Sequence, residues 1–337
     1  MTKALEHGGN LSAARDQFGD PTGGWIDLST GINPCAYPVP NIAPDAWQRL
    51  PEQRAMGNLI DAARGYYALH QNMHMVATPG TQALIQALPF LTPAAHVAII
   101  TPTYGEHAHV WRTCGHAVSE VRALDGVPGD CSVSVVVNPN NPDGRTYSAG
   151  ELLTLANTMQ TRGGFLVVDE AFCDVTPGLS LAAHDTPDGL IILKSFGKFF
   201  GLAGLRLGFA VGDPVLVNTL GQRLGPWAVS GPALSIGAVA YDDTSWIAET
   251  RNNLSRDRQR LETLLRDHGM VIPGATDLFV LAETATAMVT AAPLYAHLGA
   301  AGVLVRSYAA YPTWLRFGLP GTEQHWARLE HALHSFS

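Results

Sequence analysis

The 337-residue chain reads as an α/β protein with a large domain on a mostly parallel central sheet and a smaller α+β domain. Three observations predict this. Apolar runs without polar alternation recur at 97–100, 165–168 and 190–193, and 133–137 is rich in β-branched valine. Strands of that kind are buried on both faces, which is the habit of parallel sheets. Stretches with helical spacing separate them and supply the covering layers. Beyond residue 245 the alternation gives way to one long amphipathic helix and then short strands, the mark of a second, smaller domain.

In chain order, residues 1–50 read as an irregular arm rich in Gly and Pro. A helix is expected over 54–70, with Leu59, Ile60, Ala63, Tyr66 and Tyr67 on one side. A helix at 81–91, a strand at 97–100, a helix at 105–114 and a strand at 116–121 follow. After the β-branched strand 133–137, Ser148 and Glu151 have the spacing of a capping box and open a helix to about Arg162. Strands at 165–168, 190–193 and 205–211 complete the large domain. Pro226, Gly231 and Pro232 read as a break. A long helix over 245–268, stopped by Gly269, precedes strands at 278–281, 303–306 and 314–318 and helices at 287–300 and 322–335. The division expected is an arm, 1–40, joining the small domain; a large domain, 41–230; and a small domain, 231–337.

Composition narrows the function. Apolar residues make up 46% and charged residues 15%, enough to build a core and to exclude wholesale disorder. The net charge of −8 argues against a nucleic-acid partner, while leaving room for a local anion pocket. Cys35, Cys114, Cys131 and Cys173 lie far apart with no CxxC pair, so neither a metal knuckle nor a disulfide framework is suggested. Reduced thiols, no apolar leader in Met1–His7 and no run long enough to span a membrane point to a cytoplasmic protein. Only three lysines occur, Lys3, Lys194 and Lys198, so amine chemistry has three candidates.

Three strand ends carry polar strings where a parallel sheet places its ligands. They are Asn138-Pro139-Asn140-Asn141-Pro142-Asp143-Gly144, Asp169-Glu170-Ala171-Phe172, and Lys194-Ser195-Phe196-Gly197-Lys198. Each alone is an ordinary polar turn. Together they bring an acid, an amide and an amine to one edge, with Arg206 eight residues past Lys198. That set fits pyridoxal phosphate, whose aldehyde needs a lysine, whose ring nitrogen needs a carboxylate, and whose phosphate needs an anion cradle.

The string from Ser195 to Gly208, Ser-x-x-Lys followed by Gly-Leu-x-Gly-Leu-Arg-x-Gly, resembles that of the fold-type I pyridoxal phosphate enzymes of the aminotransferase class I/II group. Within that group the chain looks most like the threonine-phosphate decarboxylases of cobalamin synthesis and the related histidinol-phosphate aminotransferases. The resemblance implies that Lys198 condenses with the cofactor aldehyde and moves the substrate proton; Lys194, on the strand itself, is the competing amine. It implies that Asp169 pairs with the ring nitrogen, that Asn141 donates to the ring hydroxyl and that Tyr104 stacks on the ring. Gly80, Thr81 and Gln82, with Ser195 and Arg206, would hold the phosphate. Phe172 stands where many relatives have a tyrosine, a feature of the decarboxylase-like branch. Strand alternation puts Glu170 on the face opposite Asp169.

On the substrate side the resemblance assigns Arg316 to the substrate carboxylate and places Arg306 near it. The arm string His7-Gly8-Gly9-Asn10 resembles the opening of the decarboxylases and suits a phosphate, and Gly31 and Asn33 belong to a segment that passes over the substrate. The implied activity is decarboxylation of a small phosphorylated amino acid, L-threonine O-3-phosphate, by a homodimer. A histidinol-phosphate type aminotransferase and a non-catalytic relative are the competing readings. Leu50-Pro51 replaces the family's Tyr-Pro, whose tyrosine reaches the partner subunit's cofactor phosphate. No metal is expected: His70 and His74 lack the glutamate of a zinc-protease motif, and His107 and His109 show no ligand partners in sequence.

Overall fold

Seven strands build the main sheet, in the order His74–Thr78, Gly208–Gly212, Leu190–Ser195, Phe165–Asp169, Val133–Val137, His96–Ile100, Ala117–Val121. The computed structural model describes residues 7–284 and 290–336. All neighbouring strands run parallel except at Gly208–Gly212, which is antiparallel to both its neighbours. The four central strands from Gly208–Gly212 to Val133–Val137 are buried at every position, because helices cover both faces. On one side Trp111, Phe165, Val167, Ile191, Val217 and Leu220 form part of a single core cluster. The edge strands His74–Thr78 and Ala117–Val121 are only partly buried.

The chain divides into two units, each with its own sheet. The larger comprises Ala36–Asn141 and Arg145–Ile247; the smaller holds the residues up to Cys35, Pro142–Gly144, and those from Ala248 onward. Residues 231–247 therefore lie with the large unit, where the sequence suggested the small one. Pro226, Gly231 and Pro232 do not separate domains. Ser230 caps a helix, Gly231–Asp242, by accepting from the Ala233 N–H, and Pro232 sits in its first turn, where no N–H is needed. Gly231 is required there, since a Cβ would come 2.2 Å from the Ala46 carbonyl oxygen. A second unexpected helix, Pro214–Leu224, begins at Asp213, whose carboxylate accepts from two backbone N–H groups.

The smaller unit carries a four-stranded antiparallel sheet ordered Arg306–Ser307, Trp314–Gly318, Phe279–Thr284, Met270–Thr276. Met270–Thr276 escapes sequence reading because Pro273 and Gly274 interrupt it. The strand tolerates the proline because it lies at the sheet edge, and the register slips between Leu281 and Glu283 of its neighbour. The expected strand 303–306 is two pieces: Val303–Leu304 pairs in parallel with Ile26–Asp27, and Arg306–Ser307 pairs with Trp314–Gly318. The arm is not wholly irregular. Asn10 caps a helix, Leu11–Phe18, with its side chain accepting from the Ala13 N–H at 3.1 Å. Residues 285–289, where the expected helix 287–300 begins, lie outside the described residues; the helix is described over Ala292–Ala300.

The capping box is formed as the sequence predicts. The Glu151 N–H donates to Ser148 Oγ at 3.3 Å, and the Ser148 N–H donates to Glu151 Oε2 at 2.8 Å, opening the helix Ala149–Thr161. Ser148→Ala should lower stability by about 1 kcal/mol, read as a shift in urea midpoint with unchanged slope.

Candidate active site

One edge of the seven-stranded sheet gathers the polar residues of the large unit. Thr78, Ile100, Val137, Asp169 and Ser195 end their strands there, and Gly208 begins the reversed strand at the same edge. Because Ser195 pairs with Gly208, the connection 196–207 stays at this edge and keeps both Lys198 and Arg206 on it. The chain turns at Arg206 itself, which adopts the left-handed conformation with φ 56° and ψ 59°. A non-glycine residue held in that region stores strain, a state that persists where surrounding structure enforces it. Gly208 must be glycine for closeness: a Cβ would lie 2.9 Å from both the Lys194 carbonyl oxygen and the Thr81 nitrogen.

Asp169 and Glu170 are buried neighbours on opposite faces of the sheet. Asp169 Oδ1 accepts from the Ala171 N–H at 3.0 Å, and Oδ2 accepts from His107 Nε2 at 2.9 Å. A carboxylate only accepts, so the His107 proton belongs on Nε2. His107 is fully buried, on the helix Gly105–Thr113 that starts directly after Tyr104. Sequence reading set this histidine aside; its partner is 62 residues away, and only the fold brings them together.

The two lysines of the motif have different fates. Lys194 is buried on the Glu170 face, where its Nζ donates to Glu170 Oε2 and, at 2.7 Å, to Ser180 Oγ, and lies 4.5 Å from the centre of the Tyr67 ring. Burial works against its charge, but the Glu170 carboxylate, with Cys173 and Asp174 adding to it, holds the ammonium above the ordinary lysine range. Lys198 sits in the short helix Phe196–Phe199, half-buried, with Nζ 5.4 Å from the centre of the Phe172 ring.

At Gly80 the backbone has φ +81°, and a Cβ would lie 2.7 Å from Arg206 Nη2. Glycine thus leaves the space that the guanidinium fills, beside the N–H groups of Thr81 and Gln82 opening the helix Thr81–Ala87, which no side chain caps. Ser195 and Asn141 stand at the same edge, and Asn140 fixes the approach to Asn141: its Oδ1 accepts from Thr103 Oγ1 and its Nδ2 donates to the Pro102 carbonyl, both at 2.7 Å. The Tyr104 hydroxyl donates to Gln82 Oε1 at 3.3 Å, and Gln82 Nε2 donates to Glu106 Oε2 at 3.1 Å. The set suits a phosphorylated aromatic aldehyde: a lysine for the aldehyde, a buried carboxylate for a ring nitrogen and a backbone cradle with a guanidinium for the phosphate.

Within the smaller unit, Arg316 is buried on Trp314–Gly318 and directly opposes Arg306 across the ladder. Its Nη2 donates to the Ser29 carbonyl at 2.8 Å. Burial lowers its pKa, Tyr308 opposes that, and Arg306 adds to it. Two adjacent guanidiniums form a ready site for anions. The arm meets the same residue: the Gly9 N–H donates to Ser29 Oγ at 2.7 Å, Ser29 Oγ donates to Asp27 Oδ1 at 2.6 Å, and a Cβ on Gly8 would clash with the Ser29 carbonyl oxygen at 2.3 Å. Gly8 and Arg316 thus converge on Ser29. The Asn10 side chain is engaged as a helix cap, Asn33 Oδ1 accepts from the Cys35 N–H at 2.9 Å, Gly31 is buried, and His7 is exposed.

Residues 53–335 match the family described as aminotransferase class I and II. The chain belongs to that family. It is 44% identical over 334 residues to threonine-phosphate decarboxylase of Pseudomonas aeruginosa, covering 98% of each chain. It is 30% identical over 222 residues to a histidinol-phosphate aminotransferase of Granulibacter bethesdensis, covering 63% of this chain and 58% of that one. The solved histidinol-phosphate aminotransferase of Sinorhizobium meliloti, in complex with pyridoxal-5'-phosphate, superposes with a TM-score of 0.79 at 18% identity, covering 100% of this chain and 96% of that one. The α/β, fold-type I architecture expected from the sequence is the architecture found.

Elsewhere in this aminotransferase-family chain, His96, Asp130 and Cys131 bring ligand atoms within 4.8 Å of one another. Both ring nitrogens of His96 already have partners, Asp130 Oδ2 at 2.9 Å and Ser119 Oγ at 2.8 Å. Among the described residues no helix is long and apolar enough to cross a membrane.

Tyr104 carries the site's electrostatics in measurable form. Burial, then the Glu106 and Asp169 carboxylates, raise its pKa to about 12, against a smaller opposing effect of Arg206. A raised phenol pKa contributes stability that is present below the unfolded value near 10 and is lost as pH rises through the folded one. The difference titration of phenolate absorbance between the parent and Tyr104→Phe should show a step near pH 12. A step near 10 would place the ring in water.

Proposed function

We propose that this chain catalyses the pyridoxal 5'-phosphate-dependent decarboxylation of L-threonine O-3-phosphate to (R)-1-aminopropan-2-ol O-phosphate, a step of cobalamin biosynthesis. The full-length likeness to a threonine-phosphate decarboxylase carries the reading. Lys198, Asp169 and Phe172 support it as a group at one sheet edge. The likeness to the aminotransferase is lower and covers less of the chain.

When bound, pyridoxal 5'-phosphate supplies the electron sink that makes loss of carbon dioxide from an amino acid feasible. Lys198 is the amine that would hold the aldehyde and would supply a proton at the substrate Cα. Asp169, held by His107 and the Ala171 N–H, is the carboxylate that would pair with the ring nitrogen. Asn141 would donate to the ring hydroxyl, Phe172 would add no second donor, and Tyr104 would stack on the ring. The Thr81 and Gln82 N–H groups, in the space that Gly80 leaves open while its own N–H donates to the Thr78 carbonyl, would hold the phosphate together with Ser195 and Arg206. Lys194 is withheld from this chemistry by Glu170.

Arg316 orients the substrate carboxylate and Arg306 adds charge beside it. His7, Gly8 and Asn10 of the arm serve the substrate phosphate, and Gly31 and Asn33 cover the substrate. We further read the protein as a cytoplasmic homodimer. All four cysteines are free thiols, and the large unit exposes Val39, Trp47, Leu50 and Val239.

Assays with threonine phosphate, serine phosphate and histidinol phosphate in parallel test the reading. Carbon dioxide should be released from threonine phosphate with no keto acid required. Glutamate-dependent formation of a keto product would assign an aminotransferase instead. Lys198→Ala should lower the rate by roughly 10²–10⁴-fold or more, with loss of the borohydride-trapped pyridoxyl adduct at that position.

A further inference from the structure

We infer that the buried Lys194–Glu170 ion pair is a positioning device that sets Asp169, Phe172 and Lys198 in register with one another; the inference rests on the cofactor reading above. Phe165–Asp169 and Leu190–Ser195 are parallel, with Asp169 opposite Leu193, and the Glu170 N–H donates to the Leu193 carbonyl at 2.9 Å. Past that rung the first strand turns away, and the side chains of Glu170 and Lys194 take over the link. Alternation puts this link on one face of the sheet and Asp169 on the other.

The same carboxylate closes a loop. Glu170 Oε1 accepts from the Leu181 N–H at 2.8 Å, and Oε2 accepts from Ser180 Oγ at 2.7 Å as well as from Lys194. The segment 171–180, which carries Phe172, is thereby tied at both ends, and the Phe172 ring is the surface over which Lys198 Nζ lies. One pair thus fixes the residue after Asp169, the residue before Ser195 and the loop beneath Lys198. The side chains are 1% and 0% exposed. A fully buried ion pair is often no more stabilising than a well-packed apolar pair of the same volume. Its geometric role distinguishes it from such packing.

The experiment compares the parent, Lys194→Met, the double variant Lys194→Met/Glu170→Gln, and Ser180→Ala, all as full-length chains reconstituted with pyridoxal 5'-phosphate. The readouts are Tm, cofactor affinity by equilibrium dialysis, and the pH midpoint of the bound cofactor's absorbance change. Lys194→Met should lower Tm strongly by stranding a buried carboxylate. The double variant should regain most of that Tm, yet bind cofactor roughly tenfold more weakly and shift the pH midpoint by about one unit. Ser180→Ala should fold and move both cofactor readouts in the same direction by a smaller factor. If the double variant folds with the parent's affinity and midpoint, the pair is packing alone and the inference is overturned. If it does not fold, unchanged readouts in Ser180→Ala overturn it. A parent that binds no cofactor overturns the proposed function instead.

Discussion

Two carboxylates at successive positions of a buried strand end cannot share one environment. At Asp169 and Glu170 the pleat sends one to each face of the sheet, and each must find its own partner. Glu170 takes Lys194 from the neighbouring strand, and Asp169 takes His107 from a helix on its own side. The rest of the large unit's polar edge depends on this separation. It commits one of two closely spaced lysines to structure and leaves the other beside Phe172.

The sheet topology does the remaining positioning. Parallel strands deliver the residues after 78, 100, 137, 169 and 195 to a common edge. The connection to a single reversed strand stays at that edge and holds Arg206 there, against Gly80. The smaller unit follows a different principle. Its basic residues face each other across an antiparallel rung, Arg306 opposite Arg316, and the arm is fastened to the same neighbourhood through Ser29.

Much of this was legible in the sequence. Continuous apolar runs reported the central strands because those strands are covered twice over, and the Ser148/Glu151 spacing reported a helix start that forms as written. The strings around Asn141, Asp169 and Lys198 disclosed the polar edge, and alternation correctly separated Glu170 from Asp169. What escaped was set by distant partners. His107 looks like any helical histidine until the fold brings Asp169 to it. Met270–Thr276 contains a proline and a glycine that only an edge position excuses, and Pro232 reads as a breaker until Ser230 is seen to cap the helix it begins. Ser29 showed no signal because its role rests on the Gly9 N–H and on a guanidinium 287 residues away.

The left-handed backbone at Arg206 sets stability and function against each other at a single position. Glycine there would relieve a conformational penalty of about 1 kcal/mol and would remove the guanidinium that Gly80 makes room for. A thermostabilisation campaign guided by backbone geometry would select that substitution early, and the gain in melting temperature would come with the loss of a positive charge from the polar edge. Screens for robust variants of this scaffold therefore have to spare that position rather than rank it on heat resistance alone.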